Sequence, residues 1–326
     1  MFLVTGGAGF IGSNVVASLN EAGRSDIAVN DVLGSDGKWR NLGSRQLADF
    51  VPPAELWRWL DGRKLDAVVH LGAISSTTAT DGDALIETNF RLSLRLLEWC
   101  AVTRTPFIYA SSAATYGDGR KGFSDDWSLG ALKQLKPMNL YGWSKHLFDL
   151  AVVERAARDE KMPPQWAGLK FFNVFGPNEY HKAEMMSLVA KRFDDAKAGK
   201  TIRLFKSHRA GIADGEQKRD FIYVDDAVAV VRWLLDTPAI SGIFNVGTGE
   251  ARSFRDLMMA MFAAVGREPA IEYINMPDSI RDSYQYFTQA ETGNLRRAGY
   301  NAHFTALEEA VRRYVTSYLD CADRYR

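Results

Sequence analysis

Residues 5–14 read T-G-G-A-G-F-I-G-S-N, with an apolar run before them and an apolar segment of helical period behind. The glycines satisfy two spacings at once: G-x-G-x-x-G through Gly7, Gly9 and Gly12, and G-x-x-G-x-x-G through Gly6, Gly9 and Gly12. Glycines there allow a tight turn and let backbone N–H groups approach a pyrophosphate at the N-terminus of the following helix. Such a string alone is a weak signal. Here it follows a strand-like run and opens a helix, and Asp31 closes the next apolar run about 20 residues on, where a carboxylate can accept from a ribose hydroxyl. That conjunction predicts a dinucleotide site rather than a bare turn.

Outward from that loop, residues 2–5, 27–31, 67–71, 107–111 and 169–174 are short apolar runs of strand length. Between them 10–21, 54–60, 85–102 and 140–158 carry apolar residues at helical spacing. The alternation predicts an α/β chain with a Rossmann-type, doubly wound parallel sheet covered by helices on both faces. After residue 175 the pattern loosens. A helix is expected over 184–198, a strand over 201–205, a long loop over 206–220, and strands at 221–224 and 242–246 around a helix over 225–235. Ser253 is placed to cap a further helix running to Gly266. We therefore expect residues 1–172, with a return over 219–247, to form the NAD(P)-binding domain. Residues 173–218 and 248–326 should form a smaller, partly interleaved α/β substrate domain, with a cleft between the two.

The chain has 326 residues, 46% hydrophobic and 25% charged, enough for a substantial core. Forty basic side chains balance forty acidic ones, so no global field draws the protein to nucleic acid or to an anionic membrane, and any anion must be held locally. Cys100 and Cys321 stand far apart, which argues against a disulfide framework or a cysteine metal cluster. No window approaches the ~18–20 apolar residues of a membrane span, and residues 1–7 run straight into a turn, so a cytoplasmic location is expected.

Tyr141 and Lys145 in N-L-Y-G-W-S-K stand at i, i+4 and share a helix face. A free tyrosine, with a pKa of about 10, is a poor base near neutrality; an adjacent ammonium and an oxidised nicotinamide would both favour the phenolate. Lowering it by ~3 pH units corresponds to about 4 kcal/mol. The pair opens a helix soon after the strand that ends at Ser111 and Ser112, and a hydroxyl at that strand end can reach the same reacting oxygen. At the cofactor end, Asp31 favours NAD, whereas Lys38 and Arg40 are close enough to neutralise the 2′-phosphate of NADP. The residues leave both open.

The glycine pattern, Ser112 and the Tyr141/Lys145 pair together resemble the extended short-chain dehydrogenases/reductases, over essentially the whole chain. Within that group, G-A-I-S-S-T-T at 72–78, S-S-A-A-T-Y-G at 111–117 and F-N-V-F-G-P-N-E-Y-H-K at 172–182 resemble the ADP-L-glycero-D-manno-heptose 6-epimerases. K-R-D-F-I-Y-V at 218–224 and Y-Q-Y-F-T-Q-A at 284–290 fit as well.

The resemblance implies an epimerase of lipopolysaccharide-precursor synthesis, acting by transient oxidation and re-reduction at C6 of ADP-heptose with NADP, NAD being the alternative. It implies that Tyr141 moves the proton, that Lys145 holds the nicotinamide ribose and lowers the tyrosine pKa, and that Ser112 positions the substrate hydroxyl. A ketone reduced on its other face needs a second proton-transfer group, which the resemblance places on Lys182. Cofactor contacts are implied for Gly6, Gly9, Phe10, Ile11, Gly12, Asp31 and Lys38, and then for Leu71, Gly72, Ala73, Ser75, Asn89 and Val174. Substrate contacts are implied for Asn173, His181, Glu184, Lys191, Phe205, Arg219 and Tyr284, with Arg219 suited to a diphosphate by its planar fork. Two departures stand out: Pro52-Pro53 supplies no second lysine for the cofactor phosphate, and Lys191 occupies the place of a substrate-contacting histidine. Self-association is a further expectation from the resemblance.

A UDP-hexose 4-epimerase would share the cofactor site but ordinarily needs no lysine at 182, and a 4,6-dehydratase would carry Asp-Glu where Ala113-Ala114 stand. A redox-sensing module that only binds the cofactor would not need Ser112, Tyr141 and Lys145 intact.

Overall fold

The computed structural model describes residues 1–281 and 284–326. Among these, the strands are β1 (Phe2–Thr5), β2 (Ile27–Asn30), β3 (Asp49–Val51), β4 (Ala67–His70), β5 (Phe107–Ser112), β6 (Trp166–Phe171), β7 (Asn173–Phe175), β8 (Ile202–Phe205), β9 (Lys218–Tyr223), β10 (Gly242–Val246), β11 (Ala251–Ser253) and β12 (Ile271–Ile274). Seven of them form one sheet in the order β3-β2-β1-β4-β5-β6-β10, every neighbouring pair parallel.

Parallel strands need crossovers, and the crossovers lay helices on both faces, so the inner strands are buried on both sides instead of alternating buried with exposed residues. Every residue of β1, β2 and β4 is buried. The period of two still sorts them. Phe2, Val4, Val69 and Ile108 face the helices Phe10–Glu21 and Val224–Asp236. Leu3, Val68, Phe107 and Tyr109 face Leu92–Thr103 and Leu140–Ala157. On that second face Phe148 stands edge-on to Tyr109, ring centroids 4.8 Å apart. The chain runs outward from β1 to β3 and crosses back to β4, so the strand order reverses between β1 and β4, opening a crevice at their carboxyl ends.

The expected run 169–174 divides at Phe172: β6 stays in the large sheet, while β7 turns away to pair with β9, which β11 flanks in turn. β8 and β12 form a separate parallel pair. The expected helix over 85–102 contains a π-helical turn, Ile86–Arg91. The helix expected from 184 starts later, at Leu188, after a 3-10 turn over Tyr180–Met185. The loop expected over 206–220 is shortened because Lys218 already begins β9. Ser253 does cap its helix, in a reciprocal box with Asp256. No helix among the described residues is long and apolar enough to cross a membrane.

Candidate active site

The glycine loop after β1 and the loop after β4 meet at the crevice. Gly6 has φ +65°, and a Cβ on it would fall 2.6 Å from the Gly72 nitrogen; a Cβ on Gly12 would fall 2.1 Å from the Gly6 carbonyl oxygen. Only hydrogen side chains let the two loops and the first helix approach this closely, which leaves a backbone-lined cradle of the shape a dinucleotide diphosphate requires. A chain of buried polar groups holds the second loop. The Gly72 N–H donates to Thr5 Oγ1 at 3.2 Å. Thr5 Oγ1 lies 2.6 Å from His70 Nδ1, and His70 Nε2 lies 2.8 Å from Ser93 Oγ, which donates to the Asn89 carbonyl at 2.7 Å. These directions fix a neutral imidazole, and burial lowers the His70 pKa to about 3.

Asp31 is bound from both sides: it accepts from the Ala8 N–H at 2.9 Å and from Lys38 Nζ at 2.6 Å. Asn41 Nδ2 donates to the Ala8 carbonyl at 2.9 Å and lies 3.2 Å from His181 Nδ1. With both amide hydrogens used, His181 Nδ1 is the acceptor and its Nε2 carries the proton. His181, expected among the substrate contacts, lies beside Asn41 in the hollow lined by the glycine loop, and burial together with the nearby Lys38 lowers its pKa.

A hollow of about 470 Å³ contains Gly6, Gly9, Phe10, Ile11, Gly12, Asp31, Lys38, Leu71, Gly72, Ala73, Ser75, Lys145, Val174, His181 and Lys182. A second hollow of about 470 Å³ contains Arg219, Tyr284, Gln285 and Thr288. The two share Thr77, Ser112, Tyr141, Phe171, Phe172 and Asn173, so Ser112 and Tyr141 stand where one space opens into the other.

Tyr141 and Lys145 lie in the first turns of a helix capped by Asn139, whose side chain accepts from the Gly142 N–H at 2.8 Å. Ser112 ends β5, and its Oγ accepts from the Ala114 N–H at 3.1 Å. Burial raises the Tyr141 pKa above 10, and the hydrogen bond with Ser112 pulls it back. Desolvation is the largest influence on the phenol, and the nearby Asp149 carboxylate adds to it. Lys145, 3% exposed, is itself pushed down to about 8 by burial, against the pull of Asp149. Burial also lowers Lys182, which Glu179 pulls back up. The Lys182 ammonium lies 5.0 Å from the centre of the Phe10 ring.

In the second hollow Arg219 is 7% exposed and its guanidinium lies 5.2 Å from the Tyr284 ring and 5.6 Å from Phe254. Burial lowers its pKa, and one of its N–H groups donates to the Lys218 carbonyl at 2.9 Å. A buried cation in such surroundings is suited to an incoming anion.

Four further expected residues, Asn89, Glu184, Lys191 and Phe205, are placed elsewhere. Asn89, on the π-helical turn, uses its amide on the Ile74 backbone and on Ser144 Oγ, so it braces the 71–75 loop from behind. Glu184 pairs with Lys191 at 2.9 Å in a separate surface hollow beside Trp39 and Arg324, away from the cleft. Phe205 reaches the site only through its edge-on contact with Tyr284, at 6.4 Å. Sequence reasoning missed His70, Asn41 and the buried pair Asp149–Lys170. The signal for Asp149 was available, since it stands eight residues after Tyr141 and shares the face of Tyr141 and Lys145. The other three depend on contacts distant in sequence.

Residues 2–247 match the NAD dependent epimerase/dehydratase family. The chain is 50% identical over 327 residues to the ADP-L-glycero-D-manno-heptose-6-epimerase of Nitratidesulfovibrio vulgaris (strain Hildenborough), covering 99% of each chain. The crystal structure of the Helicobacter pylori ADP-L-glycero-D-manno-heptose-6-epimerase superposes with a TM-score of 0.80 at 29% identity, covering 97% of this chain and 95% of that one. The Thermus thermophilus UDP-glucose 4-epimerase, in complex with NAD, does so with a TM-score of 0.74 at 26% identity, covering 96% and 97%. The chain belongs to the NAD dependent epimerase/dehydratase family and is an epimerase of the extended short-chain dehydrogenase/reductase type.

Proposed function

We propose that this chain converts ADP-D-glycero-D-manno-heptose to ADP-L-glycero-D-manno-heptose by oxidation and re-reduction at C6, with NADP as its redox group and lipopolysaccharide core synthesis as its context. The observation that carries the reading is the meeting of the two hollows at Ser112 and Tyr141, with a second titratable side chain, Lys182, in the same space. A bound oxidised nicotinamide supplies the hydride acceptor and, once reduced, the donor. All other steps are the work of the chain's own residues.

Tyr141 Oη accepts the proton of the substrate hydroxyl, and the hydrogen bond from Ser112 favours the phenolate it needs. Lys145, an ammonium buried beside it, binds the nicotinamide ribose hydroxyls. Lys182 Nζ provides the proton when the turned ketone is reduced on its opposite face; burial that lowers its pKa brings it toward the range useful near neutrality. Arg219 holds the diphosphate, with Asn173 and Tyr284 beside it, and residues 173–218 and 248–326 act as the substrate domain. Lys38 faces the 2′-phosphate once that group competes with Asp31 for its ammonium. The 50% identity to a heptose epimerase along the whole chain supports the choice of sugar.

The test is to incubate the purified protein separately with ADP-D-glycero-D-manno-heptose and with UDP-galactose, following the configuration at C6 and at C4 by NMR. Inversion at C6 of the heptose is expected; turnover of UDP-galactose alone would refute the reading. Mass analysis of the nucleotide released on denaturation should find NADP, and NAD alone would contradict the role given to Lys38.

A further inference from the structure

Behind the reacting side chains lies an ion pair that the chemistry above does not use. Lys170 on β6 and Asp149 on the helix Leu140–Ala157 are 1% and 0% exposed, with Nζ and Oδ2 2.7 Å apart. Each group has further hydrogen-bond partners. Asp149 also accepts from Ser111 Oγ at 2.7 Å and from Tyr109 Oη at 3.1 Å, both on β5. Lys170 also donates to Thr115 Oγ1 at 2.7 Å, and Thr115 Oγ1 in turn donates to the Ser112 carbonyl at 2.8 Å.

A buried pair of this kind adds little net stability over an apolar packing of equal volume, because desolvating two charges cancels most of their attraction. What it does here is geometric. Tyr141, Lys145 and Asp149 stand at i, i+4 and i+8, so one face of one helix carries all three, about 6 Å apart along the axis. Through Asp149 and Lys170 that helix is tied to β5, to β6 and to the turn that follows Ser112. A one-residue slip of the helix would break together the hydrogen bonds that Asp149 accepts from Lys170, Ser111 and Tyr109. Charge acts in the same place: Asp149 pulls both Tyr141 and Lys145 toward higher pKa. The Lys170 ammonium, 2.7 Å from Oδ2, carries the charge that compensates this carboxylate.

We propose that the Asp149–Lys170 pair is a positioning device for proton transfer: it locks the Ser112 turn to the helix bearing Tyr141 and Lys145, and it presents those two side chains with a carboxylate whose charge is already compensated. The proposal rests on the reading of Tyr141 and Lys145 as the reacting pair.

The test compares the full-length protein with Asp149→Asn, Lys170→Met and the double variant, all with lysine and tyrosine side chains labelled with ¹³C. The titration of Lys145 is followed by NMR, with His70, His146 and Tyr109 as neighbouring groups that must be accounted for. Asp149→Asn should lower the Lys145 midpoint by roughly one pH unit, as expected for a charge one helical turn away. The double variant, which removes both charges, should return it to within a few tenths of a unit of wild type. Lys170→Met should raise it, but that variant leaves a carboxylate buried without its partner; if it does not fold, the other two decide the question. In steady-state assays the double variant should lose kcat more than it raises KM, because Ser112 is no longer held against Tyr141. A Lys145 midpoint unchanged in Asp149→Asn, or equally low in Asp149→Asn and in the double variant, would overturn the proposal. The titrations need no substrate, so their failure is separate from a failure of the heptose reading.

Discussion

Replacing Lys145 by methionine should make the nucleotide-free protein more stable while removing its activity. The ammonium is 3% exposed and burial lowers its pKa from 10.5 to about 8. The folded state thus holds this proton less tightly than the unfolded state. Below pH 8 both states are protonated and the whole cost of the buried charge is present. The drop from 10.5 to about 8 corresponds to about 3 kcal/mol at roughly 1.4 kcal/mol per pH unit. Between pH 8 and 10.5 the folded state loses the proton first, the unfolded state binds more protons, and stability rises with pH. Lys145→Met keeps the apolar stem and removes the charge. Its advantage over wild type should be about 3 kcal/mol at pH 7 and shrink toward zero by pH 10.5. Urea denaturation of both proteins at half-unit steps from pH 7 to 10.5 measures that difference directly. Groups such as Tyr109 and Tyr116, whose pKa values burial raises, titrate in both proteins and cancel. An advantage that is absent at pH 7, or constant with pH, would refute the argument. So would retained epimerase activity in the variant.

Lys182→Met should abolish epimerisation while cofactor remains bound, as read by single-turnover assay and by the nucleotide released on denaturation; near-normal turnover would remove Lys182 from the chemistry. Glu179→Gln removes the carboxylate that pulls the Lys182 pKa upward, so the limb of the kcat–pH profile that requires the Lys182 ammonium should move to lower pH, and an unmoved limb would count against the coupling. Arg219→Met should weaken nucleotide-sugar binding roughly 10- to 150-fold, the ~1.5–3 kcal/mol of charged hydrogen bonds to one buried guanidinium, and leave cofactor affinity unchanged by calorimetry. Lys38→Ala should lose affinity for adenosine 2′,5′-bisphosphate but not for ADP, whereas His181→Ala, on the Asn41 side, should weaken cofactor binding without raising KM for the sugar. The opposite pattern at 181 would return that histidine to the substrate.

What could be read from the sequence was local. The 5–14 loop, Asp31 and the Tyr141/Lys145 spacing each lie within one turn or one βα unit, so periodicity and motif geometry locate them without knowledge of the fold. β3, β11 and β12 escaped because they are three or four residues long, and Glu272 and Arg252 interrupt any apolar run in the last two. The run 169–174 mixes Lys170 and Asn173 with apolar residues, and nothing in its composition marks Phe172 as the point where the chain leaves one sheet for another. The spacing of Tyr141 to Lys145 is visible in the sequence, but the depth of burial that raises the Tyr141 pKa is not.

Lys182 shows why the most specific part of the site is the least regular. Its side chain projects from a 3-10 turn in which Ala183 holds φ +46° and ψ −117°, a conformation that costs an alanine ~1–3 kcal/mol and persists only where the surroundings over-determine it. The determinants lie on both sides of the lysine. Asn178 donates to Ser13 Oγ at 3.0 Å and accepts from the Arg326 N–H at 2.9 Å. Glu179 accepts from the N–H and the hydroxyl of Ser187, both at 2.6 Å, and from Tyr314 Oη at 3.2 Å. These bonds reach the first helix, the last residue of the chain and the helix Leu307–Tyr314, so they are distributed over the whole sequence. The backbone is fixed at 178–179 and at 187, and the ammonium between them faces the hollow that also contains Tyr141. A loop held in this way can present a second proton-transfer group opposite the first without adding a strand or a helix. Two enzymes sharing the glycine loop, the serine and the tyrosine–lysine helix can therefore differ in chemistry through a few side chains of one irregular segment.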